Sequence, residues 1–228
     1  MKVIFVTGNN GNDNVVDYLS SILKEEGYKT GIYRTVDTVK RNSRFLIDNR
    51  VMTEAKFKKY EKIILDFIDG GSELTLFEAL VGIAYRYFAD ENCDFAIMET
   101  EVGGRYDPIN VAEECLSIIT SNDKAGIIKK GIVITETDGK TLEVIVEEAK
   151  KKGIPVKSID NEFFAKFVGT KGKKTGFDFI GESFYTKLET GSGGKNQVNK
   201  AALAVVAAEE LGVENEAIRK GLKKAKKS

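Results

Sequence analysis

Hydrophobic residues along this chain alternate between short uninterrupted runs and longer stretches with helical spacing. The first run, residues 3–6, has the length of a buried strand. The stretch after Gly11 then repeats apolar residues at helical intervals, at Val15, Leu19 and Ile22. This pattern recurs along most of the chain, and it is typical of a mostly parallel sheet covered by helices on both faces. The sequence therefore predicts a three-layer α/β fold.

Applied to the whole chain, the same criteria predict a series of elements. Strands are expected at residues 3–6, 30–33, 95–98, 116–119, 131–135 and 155–159. Helices are expected after residue 11 and at residues 53–69, 75–88, 140–152, 197–211 and 215–224. Three further short strands, joined by turns rich in glycine and lysine, predict a small antiparallel ribbon at the sheet edge near the C-terminus. These strands are residues 163–168, 177–180 and 183–188.

Composition narrows the class of protein. The chain has 228 residues, 42% of them hydrophobic, so it can bury a proper core, and we expect one domain over residues 1–228. Basic and acidic residues both number 35, so no net field attracts nucleic acid or an acidic membrane. Cys93 and Cys115 suit a reduced protein. We therefore expect a cytoplasmic protein without nucleic-acid or membrane partners, and the oligomeric state stays open.

The chain contains no histidine. Its absence removes the commonest general base, the nucleophilic triads that use imidazole, and zinc sites that contain histidine. Any catalysis must therefore depend on carboxylates, lysines, hydroxyl groups or a bound cation.

The segment between the first strand and the first helix has the layout of a phosphate-binding loop. Gly8 and Gly11 bound a tight turn where the helix begins. A working triphosphate loop would continue with a lysine and then a serine or threonine, but here Asn12, Asp13 and Asn14 follow. The change removes a cation and adds an anion beside the phosphates. Because asparagine and aspartate are good N-caps, a well-capped loop on an inherited scaffold is the alternative to a functional triphosphate site.

Five motifs in order then carry a resemblance. They are VTGNNGNDNVVDYLSSILKEEGYKTGIY, ELTLFEAL, ETEVGGRYDPIN, DKAGIIKKG and NQVNKAALAVVAAEELG. Together they resemble the ATP-binding central domain of the folylpolyglutamate synthase and dihydrofolate synthase branch of the Mur ligase family. The resemblance implies a P-loop NTPase-like fold, ATP and magnesium as cofactors, a small-molecule substrate, and ligation of an amino acid to a carboxylate through an acyl phosphate. Relatives carry a further C-terminal domain, and this chain ends about where that domain would start.

The resemblance also assigns candidate site residues. The family loop reads GTNGKGS or GTNGKGT, which Gly8, Asn10 and Gly11 match. The implied nucleotide-binding positions are Gly8, Asn10, Gly11, Asn12, Asp13, Asn14, Gln197 and Lys200. Glu99, at a strand end, corresponds to the magnesium-binding glutamate, and Thr35 offers a hydroxyl ligand. Lys124 corresponds to the lysine that is carbamylated in many relatives, and it is the catalytic candidate; a surface or ion-paired lysine is the alternative.

Departures from the family pattern fall at its chemically active positions. The family's long loop with an aspartate–histidine pair is reduced to a few residues between Thr120 and Lys124. Its serine–proline–histidine motif is replaced by residues 35–37, and its adenine-contacting asparagine by Lys200. Three carboxylates, those of Asp37, Glu101 and Asp107, could complete a cation site or could instead be solvated or paired with neighbours. The GSGG stretch at residues 191–194 could hold a phosphate or form a turn before a helix.

The scaffold motifs are thus kept while the catalytic polar residues are replaced. We expect a domain of the ATP-dependent ligase type that is weak or inactive as a ligase, with weak or no ATP and magnesium binding. The alternative is a non-catalytic scaffold, natural or engineered, that binds a different small ligand on the same fold. The sequence does not separate a family member that abandoned ligation from an engineered chain.

Overall fold

The large sheet orders the whole molecule. The computed structural model describes residues 1–8, 11–35, 40–69, 71, 73–100, 103, 106–121, 128–172, 174–191 and 194–225. Within these ranges the large sheet has the strand order β4-β3-β2-β5-β1-β6-β7-β8. Its strands are β1 (Lys2–Thr7), β2 (Thr30–Tyr33), β3 (Phe45–Ile47), β4 (Arg50–Val51), β5 (Phe95–Thr100), β6 (Leu116–Ile119), β7 (Ile132–Thr135) and β8 (Val156–Ser158). The strands from β2 to β8 in this order run parallel, and β3 and β4 add an antiparallel edge.

Helices cover both faces of the sheet. They are α1 (Asn12–Glu25), α2 (Glu54–Asp69), α3 (Leu76–Asp90), α4 (Gly139–Lys151), α5 (Gln197–Glu210) and α6 (Asn215–Lys224). The core on one face joins α1, α5 and α6 to the sheet, and the cores on the other face hold α2, α3 and α4. Thr75 and Glu78 start α3 with reciprocal side-chain-to-backbone hydrogen bonds, a capping box. The predicted three-layer α/β fold is confirmed.

Two regions of the sheet structure differ from the prediction. The antiparallel ribbon exists as β9 (Phe164–Lys171), β10 (Lys174–Ile180) and β11 (Phe184–Thr190), but it is a sheet of its own rather than an extension of the main sheet. Its inner face, with Phe177, Phe179 and Tyr185, packs in the same core as α5 and α6. The β3–β4 hairpin was not predicted, because strands of two or three residues show no periodicity.

The strand order determines where a ligand site can form. After β1 the chain passes to β2 on one side, and after β5 it crosses to β6 on the other side of β1. Open parallel sheets bind ligands in the crevice at such a reversal, outside the carboxyl ends of the strands. We call the edge where β2, β5, β1, β6 and β7 end the carboxyl edge. Across the described ranges, no helix is both long enough and apolar enough to cross a membrane.

Candidate functional site

The β1–α1 loop lies at the centre of the carboxyl edge. Gly8 has a φ of 152°, and a Cβ added there would lie 2.0 Å from the Thr120 hydroxyl oxygen at the end of β6. Gly11, with a φ of 78°, is the N-cap of α1. Both positions therefore require glycine, one mainly for space and one for its left-handed backbone. The predicted tight turn between Gly8 and Gly11 is thereby supported at both of its ends.

Asn12 braces this loop from inside. Its amide nitrogen donates to the Gly8 carbonyl at 2.7 Å, and its amide oxygen accepts from the Thr120 hydroxyl at 2.7 Å. The residue is only 4% exposed. The side chain at the position of the family's lysine is therefore neutral, and both of its polar atoms are hydrogen-bonded within the protein. It links the ends of β1 and β6 instead of projecting toward a ligand.

Asp13 and Asn14 lie in the first turn of α1, beyond the cap position. Because the N-cap is Gly11, which has no side chain, the expected asparagine or aspartate cap is not the device that starts this helix. The Asn14 amide nitrogen donates to the Asp13 carboxylate at 3.2 Å. A carboxylate in the first turn is favoured by the helix dipole, and it competes there with any anionic ligand.

Lys200 reaches this loop from the first turn of α5. A Cβ added at Gly11 would lie 2.4 Å from the Lys200 Cε and 3.2 Å from its Nζ, so the lysine stem lies directly on the loop backbone. Its ammonium pairs with Glu136, which follows β7, and the two side chains are 14% and 13% exposed. Burial lowers the pKa of Lys200 to about 8, and the Asp13 carboxylate opposes that shift. The loop that lacks its own lysine thus has one beside it.

Gln197 opens α5 and fixes it against α1. The Tyr18 hydroxyl donates to the Gln197 side-chain oxygen at 2.9 Å. Gln197 therefore positions the helix turn that carries Lys200. In the described structure its side-chain oxygen accepts a hydrogen bond from the neighbouring helix α1.

The two candidate metal ligands come from neighbouring strands. Glu99 is the penultimate residue of β5 and is 4% exposed. Like Ile97, two residues before it, it lies on the face of the sheet that α1 covers. Thr35 follows β2, and its buried hydroxyl oxygen has no hydrogen-bond partner among the described residues. Its carbonyl accepts from Arg44 at 2.8 Å. No cluster of three acidic, cysteine or histidine ligands forms within the described ranges, so the metal role of Glu99 and Thr35 stays a prediction.

Asp107 uses its carboxylate to hold the loop after β5. The carboxylate is 2% exposed and accepts hydrogen bonds from the Thr100 hydroxyl at 2.5 Å, the Gly103 amide at 2.8 Å and the Ile109 amide at 3.0 Å. Of the two alternatives that the sequence left open for Asp107, these contacts favour pairing. Its donors are a hydroxyl and two backbone amides.

A buried ion pair also lies near this edge. The Arg34 guanidinium, just after β2, contacts the Asp17 carboxylate of α1 at 2.6 Å, and both side chains are less than a tenth exposed. The sequence offered one signal for it, because Asp17 is a charged residue between the hydrophobic residues Val16 and Tyr18. The pair joins α1 to β2 beside the loop. Removing one partner would leave a buried charge uncompensated.

Sequence reasoning did not assign a role to three residues of the loop's surroundings. Thr120, Glu136 and Tyr18 make contacts with Asn12, Lys200 and Gln197. Thr120 and Glu136 each follow a buried parallel strand, a position that could have identified them. Several predicted positions lie outside the described residues. These are Asn10, Asp37, Glu101, Lys124 and residues 192–193.

A separate groove of about 500 Å³ lies at the opposite edge of the sheet. It is lined by charged residues of both signs, including Lys29, Lys56 and Glu91. Glu91 pairs with both lysines, at 3.6 Å from Lys29. Because this groove lies away from the carboxyl ends of the strands, where ligands of open parallel sheets bind, we place the candidate site at the β1–α1 loop.

Comparison with known proteins gives relatives of one kind. None of the protein-family models matches the chain. The dihydrofolate synthase/folylpolyglutamate synthase of Bacillus subtilis is 31% identical over 259 residues, covering 99% of this chain and 60% of the relative. The dihydrofolate synthetase of Saccharomyces cerevisiae is 26% identical over 75% of this chain and 46% of its own length. The chain thus spans between about half and 60% of the length of these relatives.

Solved structures give the same result. Folylpolyglutamate synthase from Thermotoga maritima matches with a TM-score of 0.92 and 30% identity, over 99% of this chain and 58% of that chain. The Mycobacterium tuberculosis folylpolyglutamate synthase complexed with ADP and AMPPCP matches with a TM-score of 0.90 and 22% identity, over 99% of this chain and 59% of that one. The second likeness concerns the fold alone.

Proposed function

The chain is a homologue of the folylpolyglutamate and dihydrofolate synthases of the Mur ligase type, and from that relationship we propose that it binds ATP weakly at the β1–α1 loop and has little or no ligase activity. We assign residues 1–228 to one ATP-binding domain. Ligation of an amino acid to a folate carboxylate is the activity against which this proposal is tested.

The observation that carries ATP binding is the loop geometry. Gly8 and Gly11, at the two ends of the predicted turn, both have a positive φ, and Gly11 is the N-cap of a 14-residue helix at the reversal of strand order. The first amide groups of such a helix have no partner within it, and together with the helix dipole they favour a phosphate. Gly8 and Gly11 provide the backbone for this contact, and Asn12 keeps it in place.

Weak ATP binding, and with it weak ligation, is supported by the residues that stand at and after the lysine position. Asn12 brings no charge and is engaged with Gly8 and Thr120. Asp13 adds a negative charge close to the place of the phosphates. One charge-assisted hydrogen bond contributes about 1.5–3 kcal/mol, so its loss corresponds to an affinity roughly 10- to 100-fold below that of a lysine-containing loop. Asn12 and Asp13 therefore both lower the affinity of the loop for the phosphates of ATP.

Magnesium fits the oxygen donors at this edge. Glu99 and the buried Thr35 hydroxyl are the residues that would hold it beside the phosphates. Mg²⁺ prefers one or two protein oxygens together with substrate phosphates, and it would neutralise phosphate charge there.

The alignment with the Bacillus subtilis relative runs over 259 residues, more than the 228 of this chain, which supports a shortened segment such as the one proposed between Thr120 and Lys124. We keep Lys124 as the candidate for a direct catalytic role.

Two measurements on the same preparation test the proposal. We expect ATP with magnesium to raise the melting temperature, while steady-state ATP turnover with glutamate and a folate stays at background. Turnover that Glu99→Ala abolishes, and that the exposed Glu113→Ala leaves intact, would contradict the inactivity. A melting temperature that does not respond to nucleotide, folate or divalent ions would favour the alternative of a scaffold that no longer binds nucleotide.

A further inference from the structure

Lys200 stands apart from the other residues at the carboxyl edge, because it is a cation supplied to the β1–α1 loop by a different element. We propose that Lys200 binds the phosphate groups of a nucleotide at this loop, in place of the lysine that the loop itself lacks. The inference rests on the proposed function, since it concerns the same site. It adds the residue that supplies the positive charge.

The position of the ammonium is the first argument. The Lys200 Nζ lies 3.2 Å from where a Cβ would stand at Gly11, the residue immediately before α1. An anion held by the first amides of α1 would therefore lie within reach of Nζ. The lysine stem rests on the glycine backbone, and any side chain at position 11 would displace it. Gly11 thus serves both the turn and the approach of Lys200.

The support beneath the lysine is the second argument. Gln197, three residues earlier on α5, accepts a hydrogen bond from Tyr18 of α1 at 2.9 Å. This contact fixes the first turn of α5 against the same helix whose N-terminus forms the loop. Lys200 is therefore held at a set distance from the loop. A preorganised cation binds an anion at a lower entropic cost than a mobile surface lysine.

The charge balance is the third argument. An ammonium beside a helix N-terminus places two positive features together, and an anion between them is favoured. Without a nucleotide, Glu136 supplies that anion by pairing with Lys200. A phosphate carries more charge than a carboxylate and can contact the ammonium and the loop amides together. We therefore expect a nucleotide to displace Glu136 from Lys200, so that Glu136 acts as a competitor.

Isothermal titration of ATP and of adenosine into the full chain tests this role. In Lys200→Met, which keeps the stem and removes the charge, we expect ATP affinity to fall at least tenfold and its salt dependence to weaken, with adenosine affinity unchanged. Lys200→Arg should stay within about threefold of the wild type. Lys150→Met, an exposed lysine in the last turn of α4, removes the same charge far from the loop and should change nothing.

Glu136→Gln provides an independent test should Lys200→Met fold poorly. Removing the competing carboxylate should tighten ATP binding about three- to tenfold, and the double variant Glu136→Gln/Lys200→Met should lose that gain. Equal ATP affinity in Lys200→Met and the wild type would overturn the inference and leave the proposed function standing. A parallel loss of adenosine affinity would also overturn it, because Lys200 would then contact the base. If the wild type binds no ATP at millimolar concentration, the proposed function fails, and the role of Lys200 with it.

Discussion

β1 and β5 end side by side at the carboxyl edge, and a buried polar side chain braces the segment that follows each of them. Asn12 braces the first through a carbonyl and a hydroxyl, and Asp107 braces the described part of the second through two backbone amides and a hydroxyl. Neither contact of the Asn12 side chain uses a backbone amide of α1. Asp107 is itself the anion that its loop binds. The two braces thus differ: a carboxylate takes up backbone amides after β5, whereas a neutral amide side chain takes up a carbonyl and a hydroxyl after β1.

Filling the space beside Gly8 should destabilise the protein more than any other change considered below. Gly8→Ala places a Cβ 2.0 Å from the Thr120 hydroxyl oxygen at a φ of 152°, and we expect a loss of about 3 kcal/mol or more in the free energy of unfolding. Gly153→Ala is the control, because its φ is 67° and nothing lies within 4 Å of its added Cβ. We expect it to cost only about 1–2 kcal/mol. Urea unfolding of both variants measures the difference, and equal costs would contradict the close approach to Thr120.

Removing the brace of the second loop should affect stability and leave nucleotide binding intact. Asp107→Ala leaves the donors of Thr100, Gly103 and Ile109 without their acceptor, and we expect a cost of about 2–4 kcal/mol. Asp66→Ala, at an exposed ion pair with Lys62, should leave the melting temperature unchanged. ATP affinity, measured below the melting temperature, should match the wild type. A tenfold loss of ATP affinity in folded Asp107→Ala would show that the second loop also serves the nucleotide.

Restoring the family's residues should strengthen ATP binding at the β1–α1 loop. In Asn12→Lys with Asp13→Gly and Asn14→Ser, we expect ATP affinity to rise at least tenfold, since a cation is gained and an anion is removed. Ligation should not return with it. The single variant Asn12→Ala is the control for the lost brace and should not gain affinity. Unmeasurable ATP binding by the restored loop would show that the loop does not have the shape described.

ATP binding should also depend on pH, through the amine of Lys200. The pKa of Lys200 in the free protein is about 8, and phosphate binding favours the charged amine. ATP affinity should therefore be fully present below pH 7 to 8 and fall by up to about tenfold per pH unit above pH 8. The carboxylates of Glu136 and Asp13 face the amine. Lys200→Arg should remove the dependence, and a flat profile for the wild type would contradict a phosphate contact by Lys200.

The sequence predicted the fold and part of the site for a definite physical reason. Strand runs and helical periodicity are local, and parallel strands bring their carboxyl ends to one edge, so Gly8, Gly11 and Glu99 could be placed there in advance. The contact between Asn12 and Thr120 joins residues 108 positions apart, and no local pattern encodes it. The same holds for Lys200, which the resemblance placed near the nucleotide but which only the packing of α5 brings onto Gly11.

Phosphate binding at the β1–α1 loop can be measured by isothermal titration. The wild-type protein is titrated with ATP and then with adenosine, both with magnesium present. The loop geometry predicts binding of ATP in the range of about 10 to 100 µM, at least 100-fold tighter than adenosine, because the affinity comes from the phosphates. No heat at millimolar ATP, or equal affinity for ATP and adenosine, would contradict phosphate binding at this loop.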